Sequence, residues 1–327
     1  MSTCQDPILK VDNLQVSIGK AATKTTVVRG LSYDLPKGKV LAVVGESGCG
    51  KTLHALSILR ILPPGVEIAG GHILYNGKDI LSLSAEELRQ LRGNKIAMIF
   101  QDPMTSLNPI RTIGKQLTET ILAHHKCSKL RAQVHAIRLL KKVGITEARK
   151  RMREYPFQFS GGQRQRIMIA MALCLNPDVL IADEPTTALD VTIQAQILKL
   201  IKQLQSSCHM AAIFITHNLA LVADVADEVL VLYGGYCVEK APLQELFETP
   251  LHPYTQGLLG SLVSLTQEKK EHLHAIEGYP PAPGTPKQGC PFAPRCLQAT
   301  DKCRSELPPL YKQGEHEVRC WLQEKKA

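Results

Sequence analysis

Residues 45–52 read Gly-Glu-Ser-Gly-Cys-Gly-Lys-Thr, and they stand between the apolar run Val40–Val44 and a segment of helical pattern from about Lys51 to Ile61. Few architectures accept that stretch. Closely spaced glycines let the backbone turn tightly and leave its N–H groups uncovered, and a helix that starts at the end of the turn adds positive potential. Strand, glycine-rich loop and helix in this order form an anion cradle, and the spacing G-x-x-x-x-G-K-[ST] is that of a nucleotide phosphate loop. Gly45, Glu46, Ser47, Gly48, Cys49 and Gly50 are therefore expected to wrap phosphates. Lys51 is expected to reach the β- and γ-phosphates, and the Thr52 hydroxyl to sit on Mg²⁺.

The rest of the chain agrees with an α/β domain. Val179–Asp183 and Ala211–Thr216 are continuous apolar runs, as strands of a parallel sheet covered on both faces are. Ile8–Ile18 and Val27–Leu35 alternate apolar and polar residues like half-buried strands, and Lys39–Gly45 and Lys95–Phe100 are further short strands. Between about 102 and 175 the pattern turns helical, with Lys129–Val143 amphipathic, which predicts a helical subdomain inserted into the α/β domain. The domain is expected to span 1–265. A C-terminal extension, 266–327, opens on an irregular Pro- and Gly-rich arm, Tyr279–Pro286, and ends in a cysteine cluster.

Val179–Asp183 is followed at once by Glu184, so two carboxylates stand at the end of an apolar strand, where ligands of such sheets bind. Asp183 is expected to hold Mg²⁺ through water, and Glu184 to polarise an attacking water as general base. Phosphate loop and acidic pair together point to ATP.

With 327 residues and 44% hydrophobic content the chain can bury a real core. No stretch reaches the ~18 apolar residues of a membrane span. Met1–Lys10 has neither a basic start nor an apolar stretch, so a cytoplasmic protein is expected, touching a membrane only through partners. The net charge of +9 is spread along the chain, with a local cluster at Arg149, Lys150, Arg151 and Arg153. A solvated face that suits an anionic leaflet accounts for it better than a nucleic-acid site.

Phe159-Ser160-Gly161-Gly162-Gln163 lies about twenty residues before the acidic pair and opens a helix. Taken with the two motifs above, it resembles the signature of ABC ATPases, with Phe where Leu is usual. The resemblance implies an ABC-type nucleotide-binding domain in which two cassettes pack head to tail and Ser160, Gly161, Gly162 and Gln163 of one chain touch the ATP held by the other. It makes Gln101 the Q-loop glutamine, sensing Mg²⁺ and the γ-phosphate, and His217 the switch histidine on the γ-phosphate. Ala188-Leu189-Asp190 becomes the D-loop, with Asp190 at the nucleotide. Ile18 stands near the position where the family commonly stacks an aromatic ring on adenine, so a differently made base contact is expected.

Ala97–Pro109, Ala182–Gln196 and His252-Pro253-Tyr254-Thr255 resemble the peptide and nickel importer branch, and nearly the whole chain resembles the D-type ATPase subunits of dipeptide and oligopeptide importers. That implies a second, homologous ATPase, two membrane permeases and an external solute-binding protein as partners, at the cytoplasmic face of the inner membrane, with no nucleic acid. Nickel or a metallophore remains an alternative cargo. A non-transport ABC ATPase acting on DNA or the ribosome would bring tandem cassettes, coiled-coil insertions or long basic linkers, none of which the sequence contains. A purely regulatory module is disfavoured by the complete set of Lys51, Glu184 and His217.

Of ten cysteines, four fall near the end, Cys290, Cys296, Cys303 and Cys320, while the other six are scattered and read as small core residues or incidental thiols. Four thiolates suit tetrahedral Zn²⁺ or a [4Fe–4S] cluster, and the spacing lacks the Cys-x2-Cys knuckle common in zinc sites. The resemblance implies the [4Fe–4S] cluster, with zinc as alternative and free thiols as a third reading. A structural role is expected, since so small an arm needs a staple.

Overall fold

The computed structural model describes residues 6–20, 24–102, 106–186, 190–261, 276–283, 285 and 288–324. The chain divides into two compact units. The first holds residues 36–39 and 82–213 with the N-terminal segment, and the second holds 9–35, 40–81 and 214–327. Thr187, Ala188 and Leu189, and the expected boundary at 265, lie outside the described residues.

In the second unit, Leu9–Ile18 is the centre of an antiparallel sheet, with Thr25–Leu35 on one side and Val66–Tyr75, then Lys78–Asp79, on the other. Its alternation is real: Leu9, Val11, Leu14 and Val16 are buried while Asp12 and Asn13 are exposed. The alternation slips at a bulge around Asn13, whose φ is 47°. Val40–Val44, buried throughout, pairs in parallel with Glu228–Tyr233 in the register Ala42↔Val229 and Val44↔Val231. Glu228–Tyr233 turns through Gly234 and Gly235 into Tyr236–Pro242, which pairs with His316–Val318 from the C-terminal region. The phosphate-loop strand and the cysteine-bearing segment thus belong to one compact unit.

A core of three rings joins them: Tyr233 and Tyr254 centroids are 4.5 Å apart, and Phe292 lies 5.2 Å from Tyr233 and 5.4 Å from Tyr254. Tyr254 and Phe292 are buried, and full burial of a Phe-sized side chain contributes roughly 2–3 kcal/mol. Phe292 is therefore as much a part of the unit's core as Val44.

In the first unit, Ile96–Ile99 and Val179–Asp183 pair in parallel, Ile96↔Val179 to Ile99↔Ala182, and every residue of both strands is buried. Three helices follow the expected pattern, Ile113–His124, Lys129–Lys142 and Gly161–Ala172, and Val191–Cys208 adds a fourth beyond it. Side-chain oxygens cap their starts, Thr112, Ser128, Ser160 and Asp190 each accepting a backbone N–H three residues on. Lys129–Lys142 buries Ala132, Ala136, Leu139 and Leu140, the stripe its sequence announced. Ala211–Thr216 is the strand expected, and it begins in the first unit and ends in the second.

The helix after the phosphate loop is shorter than its pattern. It runs over Lys51–Ile58 because Arg60 turns left-handed at φ 52° and Ile61 N–H bonds back to Leu56 O, with Pro63 and Pro64 following. The sheet strand Val66–Tyr75 and the terminal pair Tyr311–Gln313 and His316–Val318 have sequence patterns too short or too mixed to stand out.

Candidate nucleotide site and cysteine arm

The phosphate loop closes on itself. Lys51 is only 6% exposed, and its Nζ donates to Gly45 O at 2.7 Å and Glu46 O at 3.0 Å, with Cys49 Sγ 3.9 Å away. The ammonium sits where the loop carbonyls converge, held by neutral acceptors that an anionic phosphate can outbid. Cys49 is buried and its thiol pushed up by that burial, against the pull of Lys51, so it is a packed loop residue. Behind the loop, His54 is fully buried, meets Tyr33 Oη at 2.5 Å, and is driven down to about 4 by loss of solvent. It is a neutral buttress that anchors Lys51–Ile58 to the strand Thr25–Leu35. Ile18 lies at the edge of its strand, 37% exposed, opposite Thr25 and Val66. His217 follows Ala211–Thr216 directly and is exposed.

The first unit carries the acids. Asp183 is 2% exposed at the end of its strand, and Glu184, half-buried, has a left-handed backbone at φ 45°. A side chain in that region is strained by of order 1 kcal/mol, and such strain clusters at sites where a group must point a particular way. Gln101 Nε2 donates to Glu184 Oε2 at 3.0 Å, so the expected Q-loop glutamine and general base are brought together. Ser160 and Gln163 form a capping box: Ser160 Oγ accepts from Gln163 N–H, and Gln163 Oε1 accepts from Ser160 N–H at 3.1 Å. Gly162 packs so closely on the helix Val191–Cys208 that an added Cβ would come 3.0 Å from Ile193 Cγ2. Asp190 caps that helix, accepting Ile193 N–H at 3.0 Å.

Cys290, Cys296, Cys303 and Cys320 all line one small, mostly apolar cavity with Phe292 and Trp321. Cys290 N–H donates to Cys303 O at 2.8 Å, and Gly289 makes this approach possible: at φ 78°, an added Cβ would stand 2.4 Å from Cys303 O. Burial raises the thiols of Cys290 and Cys296, and that of Cys320 to about 11, and the neighbouring cysteines raise each further. Among the described residues no group of three or more His, Cys, Asp or Glu side chains is arranged to hold a metal ion.

Several residues that bear on the loop went unread in the sequence. Glu46 N–H donates to Tyr254 Oη at 3.0 Å, and the Glu46 carboxylate accepts from Arg295 Nη1 at 2.7 Å. In the sequence the run His252-Pro253-Tyr254 carries only a family likeness, and nothing in local pattern ties Arg295 to a loop 249 residues earlier. Among the described residues no helix is long and apolar enough to cross a membrane.

Residues 28–187 match the family described as ABC transporter, and residues 238–303 match the oligopeptide/dipeptide transporter, C-terminal region. The dipeptide transport ATP-binding protein DppD of Bacillus subtilis is 48% identical over 324 residues, covering 98% of this chain and 96% of the relative. The oligopeptide transport ATP-binding protein OppD of the same organism is 47% identical, covering 96% and 88%. Among solved structures, cbiO1 of Clostridium perfringens, part of the transporter complex cbiONQ, superposes with TM-score 0.64 at 27% identity, covering 75% of this chain and 92% of that one. A dimeric ATP-binding cassette bound to ADP and phosphate superposes with TM-score 0.64 at 24% identity, covering 72% and 98%.

Proposed function

The chain belongs to the ABC transporter family, with the C-terminal region of its oligopeptide/dipeptide branch, and from that membership we propose that it is the ATP-hydrolysing subunit of an importer of dipeptides or oligopeptides. The observation that carries this is near-complete alignment, at 48% identity, with a dipeptide transport ATP-binding protein. On this reading Gly45–Thr52 bind the triphosphate, Ser160, Gly161, Gly162 and Gln163 serve the ATP of a paired cassette, and Asp190 lies near it. Thr52, Gln101 and Asp183 are assigned to Mg²⁺, which neutralises phosphate charge. Glu184 accepts the proton of the attacking water, Gln101 orients Glu184, and His217 contacts the γ-phosphate. The work is positioning and electrostatics, and closure of two cassettes is what couples it to transport.

Two membrane permeases are the partners such a subunit drives. A second, homologous ATPase and an external solute-binding protein complete the assembly, which places this chain peripherally at the cytoplasmic face of the inner membrane. Nickel or metallophore import is the alternative, because these ATPase residues do not choose the cargo. The test is uptake of labelled dipeptides by cells carrying the complete transporter with this subunit deleted or restored. Restored uptake of peptide supports the reading, and restored uptake of nickel alone replaces it.

Cys290, Cys296, Cys303 and Cys320 are proposed to hold a [4Fe–4S] cluster that staples the arm, supported by their shared cavity. Protein purified without oxygen is expected to yield about four irons and four acid-labile sulfides per chain, the content of one such cluster. One zinc without sulfide would make the arm a zinc staple, and neither metal would leave four structural thiols.

A further inference from the structure

Glu46 is an anion placed in a loop built for anions, and the structure supplies its countercharge from far along the chain. Its carboxylate accepts from Arg295 Nη1 at 2.7 Å, with the Arg295 side chain 7% exposed and that of Glu46 24%. Arg295 is fixed on every side: Nε donates to Glu277 O at 2.9 Å, Nη2 to Ile276 O at 3.1 Å, and Nη1 also to Tyr233 Oη at 3.1 Å. It ends the short turn Ala293–Arg295 between Cys290 and Cys296. The same arm reaches the loop a second time, where a Cβ on Gly48 would lie 3.2 Å from Pro283 Cγ. Glu46 O in turn is one of the two carbonyls on which Lys51 Nζ rests.

We propose that Arg295 is a positioning residue for the phosphate loop: it neutralises Glu46 and turns its carboxylate away from the triphosphate, so that nucleotide affinity depends on the C-terminal arm. The proposal rests on reading residues 45–52 as the ATP site. Without Arg295, a carboxylate on a half-enclosed loop repels incoming phosphate and competes with it for Lys51, and low local dielectric enlarges both effects. The coupling is reciprocal, so bound nucleotide also orders the arm.

The experiment is titration of the full-length wild-type chain and its variants with Mg·ATP at low and moderate salt. Arg295→Met, which keeps much of the stem and loses the charge, is expected to raise the ATP Kd roughly fivefold or more, within the ordinary range of coupling between sites. Restoring neutrality in the double variant Glu46→Gln, Arg295→Met is expected to bring Kd back to within about twofold of wild type, a rescue that a merely structural role for Arg295 would not produce. The loss in the single variant should shrink as salt rises. In the full complex KM for ATP should rise more than kcat falls. Arg295→Gln, which keeps a hydrogen-bonding side chain and loses the charge, should weaken ATP binding in the same direction, and this arm of the test stands even if Arg295→Met folds poorly. Wild-type affinity in Arg295→Met or in Arg295→Gln, or absence of rescue in the double variant, would each overturn the proposal while leaving the ATP site in place. A wild-type chain that binds no ATP would remove the site reading itself.

Discussion

Replacing Glu184 by Gln is expected to lower ATP turnover in the full transport complex by roughly 10²- to 10⁴-fold, the usual worth of a positioned general base, while ATP remains bound. The amide keeps the shape of the side chain and one oxygen for the Gln101 donor that now stands 3.0 Å from Glu184 Oε2, but it cannot take a proton from water. The buried strand Val179–Asp183 and the left-handed backbone at φ 45° hold this position whichever side chain it carries. Single-turnover and steady-state ATPase rates, with a parallel nucleotide titration, decide the matter. Near-normal turnover in the variant would strip Glu184 of its role. Lost turnover with lost ATP binding would make it a binding residue instead.

Gly45→Ala is expected to destabilise the chain by roughly 3 kcal/mol or more and to abolish ATP binding with it, since both strain and collision act at once. Gly45 has φ 155°, and a Cβ there would lie 2.2 Å from Leu232 O and 2.9 Å from Cys49 Sγ, closer than real side chains come. Leu232 belongs to Glu228–Tyr233, the parallel partner of Val40–Val44, so relief requires the sheet itself to shift and drags the loop and Lys51 with it. Denaturant unfolding and Mg·ATP titration of the same preparation test this. A variant as stable as wild type that still binds ATP would show that the loop has slack the structure does not display.

The two substitutions differ in how they could be foreseen. Glu184 was legible from an apolar strand ending in acids, because strand length, burial and carboxylate position are all local properties of a short run. Gly45 was legible as a motif glycine, yet its reason differs from the one its motif suggests: the clash that forbids a side chain is with a carbonyl of another strand. The helix Lys129–Lys142 was legible because its 3.6-residue periodicity acts within a few turns, and Gly161–Ala172 because Ser160-Gly161-Gly162 marks a helix start. The end of Lys51–Ile58 was overestimated because Arg60 turns left-handed, a backbone choice that apolar spacing does not encode.

The cysteine arm divides the same way. Its four thiols and their spacing were plain in the sequence, and their convergence on one cavity beside Phe292 and Trp321 was not. That convergence needs Gly289 to let Cys290 reach Cys303 and needs Phe292 packed against Tyr233 and Tyr254.

By itself the amino-acid sequence determined the strand, glycine-rich loop and helix around 45–52, an acidic strand end at 183–184 and a thiol-rich tail, since each of these is written within a few consecutive residues whose geometry follows from local backbone rules. Only the tertiary structure decided that the tail grips the loop: Glu46 meets Arg295 across 249 residues, and Tyr254 across 208, because chain closure and packing, which no periodicity records, select which distant side chains share a neighbourhood.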